Sequence, residues 1–216
     1  MKVLLLSSLF VLLIGNYDQT KAEFKQLKET CRKEYQAGSD KNQMIKKAGR
    51  RFLDEFTVKI LPEWYTTPWT FTGHTEKPKQ GSVACGYFVS TTLRDAGFNL
   101  NRYKLAQMAP LDEAKIIACG DSVKVYNNFD KAKFSAEMLK YEDGLYFVGL
   151  DFHVGFILKS SGQIYFIHSN YIGKAGVMKE DIQASKAIQS ESYYVCSISG
   201  NKNLMKKWIL NEKINY

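Results

Sequence analysis

The feature that most restricts the fold is a change of hydrophobic period past Asp143. Upstream, apolar residues recur at three- and four-residue steps. Phe24, Leu27 and Cys31 do so between about 23 and 36, and Met44, Ile45, Ala48, Phe52, Phe56 and Ile60 between 41 and 61. This spacing predicts two amphipathic helices, separated at Gly38-Ser39-Asp40, the second ending at Pro62. Downstream, 144–150, 152–158 and 163–168 are β-branched and aromatic runs, with Lys159-Ser160-Ser161-Gly162 as a hairpin turn between the last two. Residues 181–188 read as a short helix, 193–198 as a further strand and 204–214 as a closing helix. Helices first and a meandering antiparallel sheet after them define an α+β fold. At 216 residues, with no repeat and no Gly/Pro/Ser-rich linker, the chain suits one domain. Residues 23–62 would be its helical N-terminal scaffold.

Between these halves, Gly81-Ser82-Val83-Ala84 runs into Cys85. Phe88, Val89, Leu93 and Ala96 then fall on one helical face, and Gly97 is placed as a left-handed cap. Residues 103–118 read as helical in two pieces, because Pro110 can only begin the second. A short strand is expected over 122–126, and Asp130 caps a helix to about 140.

The chemistry gathers on Cys85 and two downstream histidines. A thiol at a helix N-terminus sits where the helix dipole favours thiolate, and a histidine from a strand can take and return its proton. Cys85 is thus the candidate nucleophile and His153 the candidate general base and acid. Strand alternation puts His153, Gly155 and Ile157 on one face. Gly155 then leaves room beside His153 for another element, such as the Cys85 helix. His168, on the paired strand, can hydrogen-bond the far nitrogen of His153 and orient it. Asn170, two residues on and facing the same way, is the substitute orienter. The aromatic, turn-prone stretch 63–75 offers Trp64, Trp69 and His74 as substrate-binding residues, since ring faces stack on sugars and peptides. The alternative for both tryptophans is that they plug the core.

Residues 3–15 are apolar but shorter than the roughly 20 residues that span a bilayer. With Lys2 before them and Thr20-Lys21-Ala22 after, 1–22 reads as a signal peptide cut after Ala22; the alternative is an uncleaved anchor. The mature chain would be exported to the periplasm or beyond, monomeric and without stable membrane insertion. Removing Lys2, Lys21 and Asp18 takes the formal charge from +8 to +7. The basic residues are scattered and no nucleic-acid module accompanies them, so anionic cell-envelope polymers are the expected electrostatic partner. The four cysteines and three histidines show neither Cys-x-x-Cys nor His-x-x-x-His spacing, and no metal or cofactor is expected. If Cys85 is a free nucleophile, Cys31, Cys119 and Cys196 allow at most one disulfide.

Ala84-Cys85-Gly86-Tyr87-Phe88-Val89, then Ala96-Gly97-Phe98, His153-Val154-Gly155-Phe156 and the later His168, resemble the NlpC/P60 branch of the papain-like cysteine peptidases. The similarity covers residues 64–168, about half of the chain. It implies a nucleophile helix packed on an antiparallel sheet, a histidine opening the next key strand and a third polar residue on the adjoining strand. By analogy with a family tyrosine upstream of the nucleophile, Tyr65 becomes an oxyanion donor beside the Cys85 backbone N–H. The chain departs from the family's Asp-Cys-Ser-Gly-Phe, and the stretch between nucleophile and histidine is enlarged by 100–140. The resemblance implies amide hydrolysis through an acyl-enzyme, on peptidoglycan stem peptides. A secreted protease or deamidating effector acting on proteins, and a non-catalytic cell-wall binding domain, are the competing classes.

Overall fold

The computed structural model describes residues 17–216. The apolar run expected as an export signal lies outside the described residues. Helix α1 (Tyr17–Ala37) and helix α2 (Lys41–Glu55) pack as the sequence predicts, with Asp40 capping α2 by accepting the Gln43 N–H at 3.0 Å. The rings of Phe24, Phe56 and Trp208 surround Phe52. The first helix begins six residues before the expected cut. Tyr17 is buried, donates its hydroxyl to Asp95 Oδ2 at 2.9 Å and accepts from Trp64 Nε1 at 2.7 Å. The segment Tyr17–Ala22 therefore belongs to a packed helix.

Pro62 ends nothing. After α2 the chain widens into a π-turn (Phe56–Ile60), closed by the Leu61 N–H on Phe56 O, and continues as α3 (Leu61–Trp64). The wide turn resets the ladder, so Pro62 falls in a first turn, where its missing N–H costs little.

Three further helices follow: α4 (Cys85–Asp95), α5 (Arg102–Ala106) and α6 (Pro110–Ala118). Strand β1 (Lys124–Asn127) leads to α7 (Lys131–Met138), which Asp130 caps. Then come β2 (Gly144–Gly149), β3 (Val154–Ser160), β4 (Gln163–Asn170), β5 (Gly176–Asp181), β6 (Ser192–Ser197) and α8 (Lys202–Leu210). The sheet is antiparallel throughout, in the order β1-β6-β2-β3-β4-β5. The α+β class is as expected. Strand β5, however, was not anticipated, and 181–188 forms turns where a helix was expected. There Asp181 Oδ1 captures the Gln183 N–H, an Asx turn that competes with helix.

Strand alternation gives the sheet two apolar faces. Val154, Phe156, Leu158 and Ile167 join the core built with the helices, where Phe88 of α4 meets Phe156 at 5.8 Å. Tyr146, Val148, Ile157 and Phe166 join a second core, with Phe134 of α7, Ile182 and Ile188. Each fully buried ring stabilises the fold by roughly 2–3 kcal/mol over its exposed state. Among the described residues no helix is long and apolar enough to cross a membrane.

Candidate active site

Cys85 is the first residue of α4, reached through a loop tied down on both sides. Val83 N–H donates to Pro68 O and Ala84 N–H to Gly73 O, both at 2.8 Å, while Ser169 Oγ of β4 donates to Val83 O at 2.6 Å. Gly86 is required by packing: a Cβ there would run into the Ala106 carbonyl at the end of α5. The close approach of α5 thus explains the glycine after Cys85. Arg102, which opens α5, donates from Nε to Thr91 Oγ1 of α4 at 2.9 Å and from Nη2 to His74 O at 2.7 Å.

The Cys85 thiol meets the Val154 backbone amide at the start of β3, next in sequence to His153. His153 stands one residue before that strand and is buried. Its Nε2 is 2.8 Å from His168 Nδ1 on β4, with the rings nearly perpendicular. The predicted histidine pair is therefore in hydrogen-bond contact, whereas among the described residues no hydrogen bond joins Cys85 to His153, and the approach of the thiol is to the neighbouring Val154 amide.

Electrostatics at rest run opposite to what the helix dipole alone suggests. Burial pushes the Cys85 thiol up, and the amides of Val154, Gly86 and Cys85 pull it down without reversing the shift. Burial, with His168 adding to it, holds His153 well below the ordinary histidine value. The resting site is thus a neutral thiol and neutral imidazoles.

Other expected residues take different places. Gly155 makes room for Phe166 and His168, not for the nucleophile helix: a Cβ would come within 2.7 Å of Phe166 Cε2 and 2.9 Å of His168 Cβ. Helix α4 packs on the opposite face, against Phe156. Asn170 does not reach His153. Its Oδ1 accepts the Ile172 N–H at 2.8 Å and its Nδ2 meets Met178 Sδ, so it holds the β4–β5 turn. Trp64 is fully buried in the helical core and lines no groove. His74 is exposed beside Tyr87, its Nδ1 bonded to Thr72 O, with no contact to the histidine pair. Tyr65 is half-buried and its phenol is pushed up to about 12 by burial, so it remains an O–H donor; it packs against the same core as Cys85. Trp69 fares better. Its ring lies 6.3 Å from Tyr171, whose ring in turn packs edge-on to His153 at 5.1 Å.

Two neighbours of the histidines were missed. Tyr171 lies just past β4. Glu180, on the unanticipated β5, places Oε1 2.9 Å from His168 Nε2. The alternation of Val177, Lys179 and Asp181 with Met178 and Glu180 was the available signal for that strand, too polar to stand out. Its charges suit a sheet edge.

All four cysteines are unpaired, and among the described residues no group of three or more His, Cys, Asp or Glu side chains could hold a metal ion. No family model, curated protein or solved structure matches the chain.

Proposed function

We propose that the chain is a papain-like cysteine hydrolase of the NlpC/P60 kind, cleaving amide bonds through an acyl-enzyme on Cys85. The observation that carries this reading is the 2.8 Å bond from His153 Nε2 to His168 Nδ1. It engages one nitrogen of a buried imidazole and leaves Nδ1 to serve a thiol that lies against the adjacent Val154 amide.

Because thiol and imidazole are both neutral at rest, proton transfer accompanies substrate binding. The Cys85 S–H proton passes to His153 Nδ1 as sulfur attacks the amide carbonyl carbon. Negative charge collects on the carbonyl oxygen, where the Cys85 N–H at the start of α4 is the natural donor. His153 then protonates the departing amine. Water, deprotonated by His153, attacks the thioester and releases a carboxylic acid and the free thiol.

The substrate we propose is a peptidoglycan stem peptide. The surplus of basic residues and the expected export signal support it, and the Trp69–Tyr171 pair supplies an aromatic wall beside His153. Incubation of the purified chain with sacculi should release fragments that disappear in Cys85→Ala; intact sacculi would overturn the substrate. A second reading, a protein substrate, draws on Phe152. That ring is 98% exposed immediately before His153 and suits an apolar protein surface better than a glycan. Cys85-dependent cleavage or deamidation of proteins, with sacculi untouched, would select it.

A further inference from the structure

Glu180 lies diagonally across the β4–β5 pair from His168, since Phe166 stands opposite Glu180 and Met178 opposite His168. The diagonal is within reach of a long side chain. His168 is clamped in plane by Phe166, whose ring stacks on it at 4.0 Å. Three groups thus form one line: His153 Nε2 to His168 Nδ1 at 2.8 Å, and His168 Nε2 to Glu180 Oε1 at 2.9 Å.

We propose that Glu180 is a positioning residue that fixes the tautomers of both imidazoles and so keeps Nδ1 of His153 unprotonated for Cys85. The inference rests on the hydrolase reading for its consequence, not for its geometry. A carboxylate only accepts hydrogen bonds, so His168 Nε2 must carry a hydrogen. In a neutral ring Nδ1 is then a lone pair, and the hydrogen in the bond between the rings belongs to His153 Nε2. Nδ1 of His153 is left as the base. When that nitrogen takes the thiol proton, the carboxylate faces the new imidazolium through one intervening ring.

The groups around Glu180 favour the ionised form. Burial pushes its carboxyl up, but the hydrogen bonds from His168 and Ser185, with His168 and Lys131 nearby, outweigh burial and leave it below the ordinary value. Lys131, at the start of α7, is held in place by Gln183 O and Ser185 O. A protonated Glu180 would donate instead, reverse every bond in the line and put a hydrogen on the wrong nitrogen of His153.

Imidazole nitrogen NMR on the full chain tests this without any substrate. The chain has three histidines, and exposed His74 gives the reference signal. The expected result is Nε2–H with bare Nδ1 for both His153 and His168, and a tautomer mixture in Glu180→Ala. Glu180→Gln keeps an accepting oxygen and should keep the tautomers. By losing the charge, it should slow alkylation of Cys85 by iodoacetamide at neutral pH about three- to tenfold, the effect of half to one pKa unit. It should also shift the pH dependence of that reaction. A wild-type His168 carrying its hydrogen on Nδ1 would overturn the proposal. So would folded variants with wild-type tautomers and a wild-type alkylation profile. If Glu180→Ala does not fold, the wild-type spectrum and the Gln variant decide. Expected tautomers with no hydrolysis of any amide would sink the hydrolase reading and leave the relay standing.

Discussion

The two faces of the sheet contribute opposite things to the proposed site. The helical face delivers a thiol, held neutral by burial at the start of α4. The other face delivers charge, through the Glu180 carboxylate bonded to His168, with Lys131 near it. His153 sits where β3 begins, its ring bonded to His168 and its chain neighbour Val154 on the Cys85 side. In the proposed mechanism the two faces meet through a residue at a strand end, where the backbone leaves the alternation of the sheet.

The largest effect should come from removing that bridge. His153→Gln should lower amide hydrolysis by about a thousandfold or more, the usual scale for a lost general base. His168→Gln retains an oxygen that can accept from His153 Nε2 and should cost roughly ten- to a hundredfold in kcat with little change in KM. Equal losses would break the assignment of base to His153 and orienter to His168. Next is Gly155→Ala. Its Cβ would press on Phe166 and His168, one of them a packed ring and the other the orienter. Urea unfolding should show about 1–3 kcal/mol of destabilisation from overpacking, with a fall in hydrolysis beyond what the loss of folded protein explains.

The helical face was the more legible in the sequence, and the reason is physical. Its residues announce themselves by period: Phe88, Val89 and Leu93 behind Cys85, or Phe52 and Phe56 in the scaffold. The histidine pair was legible because both lie in β-rich runs and Gly155 marked a close approach, although the approaching group proved to be Phe166 with His168. What stayed hidden depended on contacts between distant segments. Glu180 lies on an edge strand half made of charged residues, which carries little hydrophobic period. For Trp64 the sequence left groove and core both open, and Tyr17, 47 positions earlier and accepting its indole N–H, decides for the core. Gly86 reads as a departure from a family pattern until Ala106 is seen against it.

That Tyr17 contact yields the third expectation, confined to the helical face. Tyr17→Phe removes the hydroxyl shared by Asp95 and Trp64 and should cost about 1–3 kcal/mol, since two buried polar groups lose their partner. A chain starting at Glu23 should be less stable still than one starting at Tyr17. Thermal melts of the two truncations and of Tyr17→Phe would show it. Equal stability from Glu23 onward would favour a mature terminus after Ala22.

The smallest effect separates the two faces by pH. His153 and His168 are held below the ordinary histidine value, so below about pH 6.5 the unfolded chain binds more protons than the folded one. Their contribution is present above that pH and is lost as pH falls toward the depressed folded values. Glu113 of α6 acts in the opposite direction. It is 1% exposed, its Oε1 has no hydrogen-bond partner among the described residues, and burial raises its carboxyl well above the usual range. Above about pH 4.5 the unfolded chain releases that proton while the folded chain keeps it, so stability falls as pH rises toward the folded value. Glu113→Gln removes that slope with nearly the same shape. Urea unfolding across pH should show the variant gaining about 1 kcal/mol at neutral pH and losing the advantage near pH 4. Glu180→Gln should do the reverse, because its carboxylate is stabilised by partners that an amide satisfies less well. If both substitutions moved stability the same way, the contrast between a compensated and an uncompensated buried carboxyl would fail.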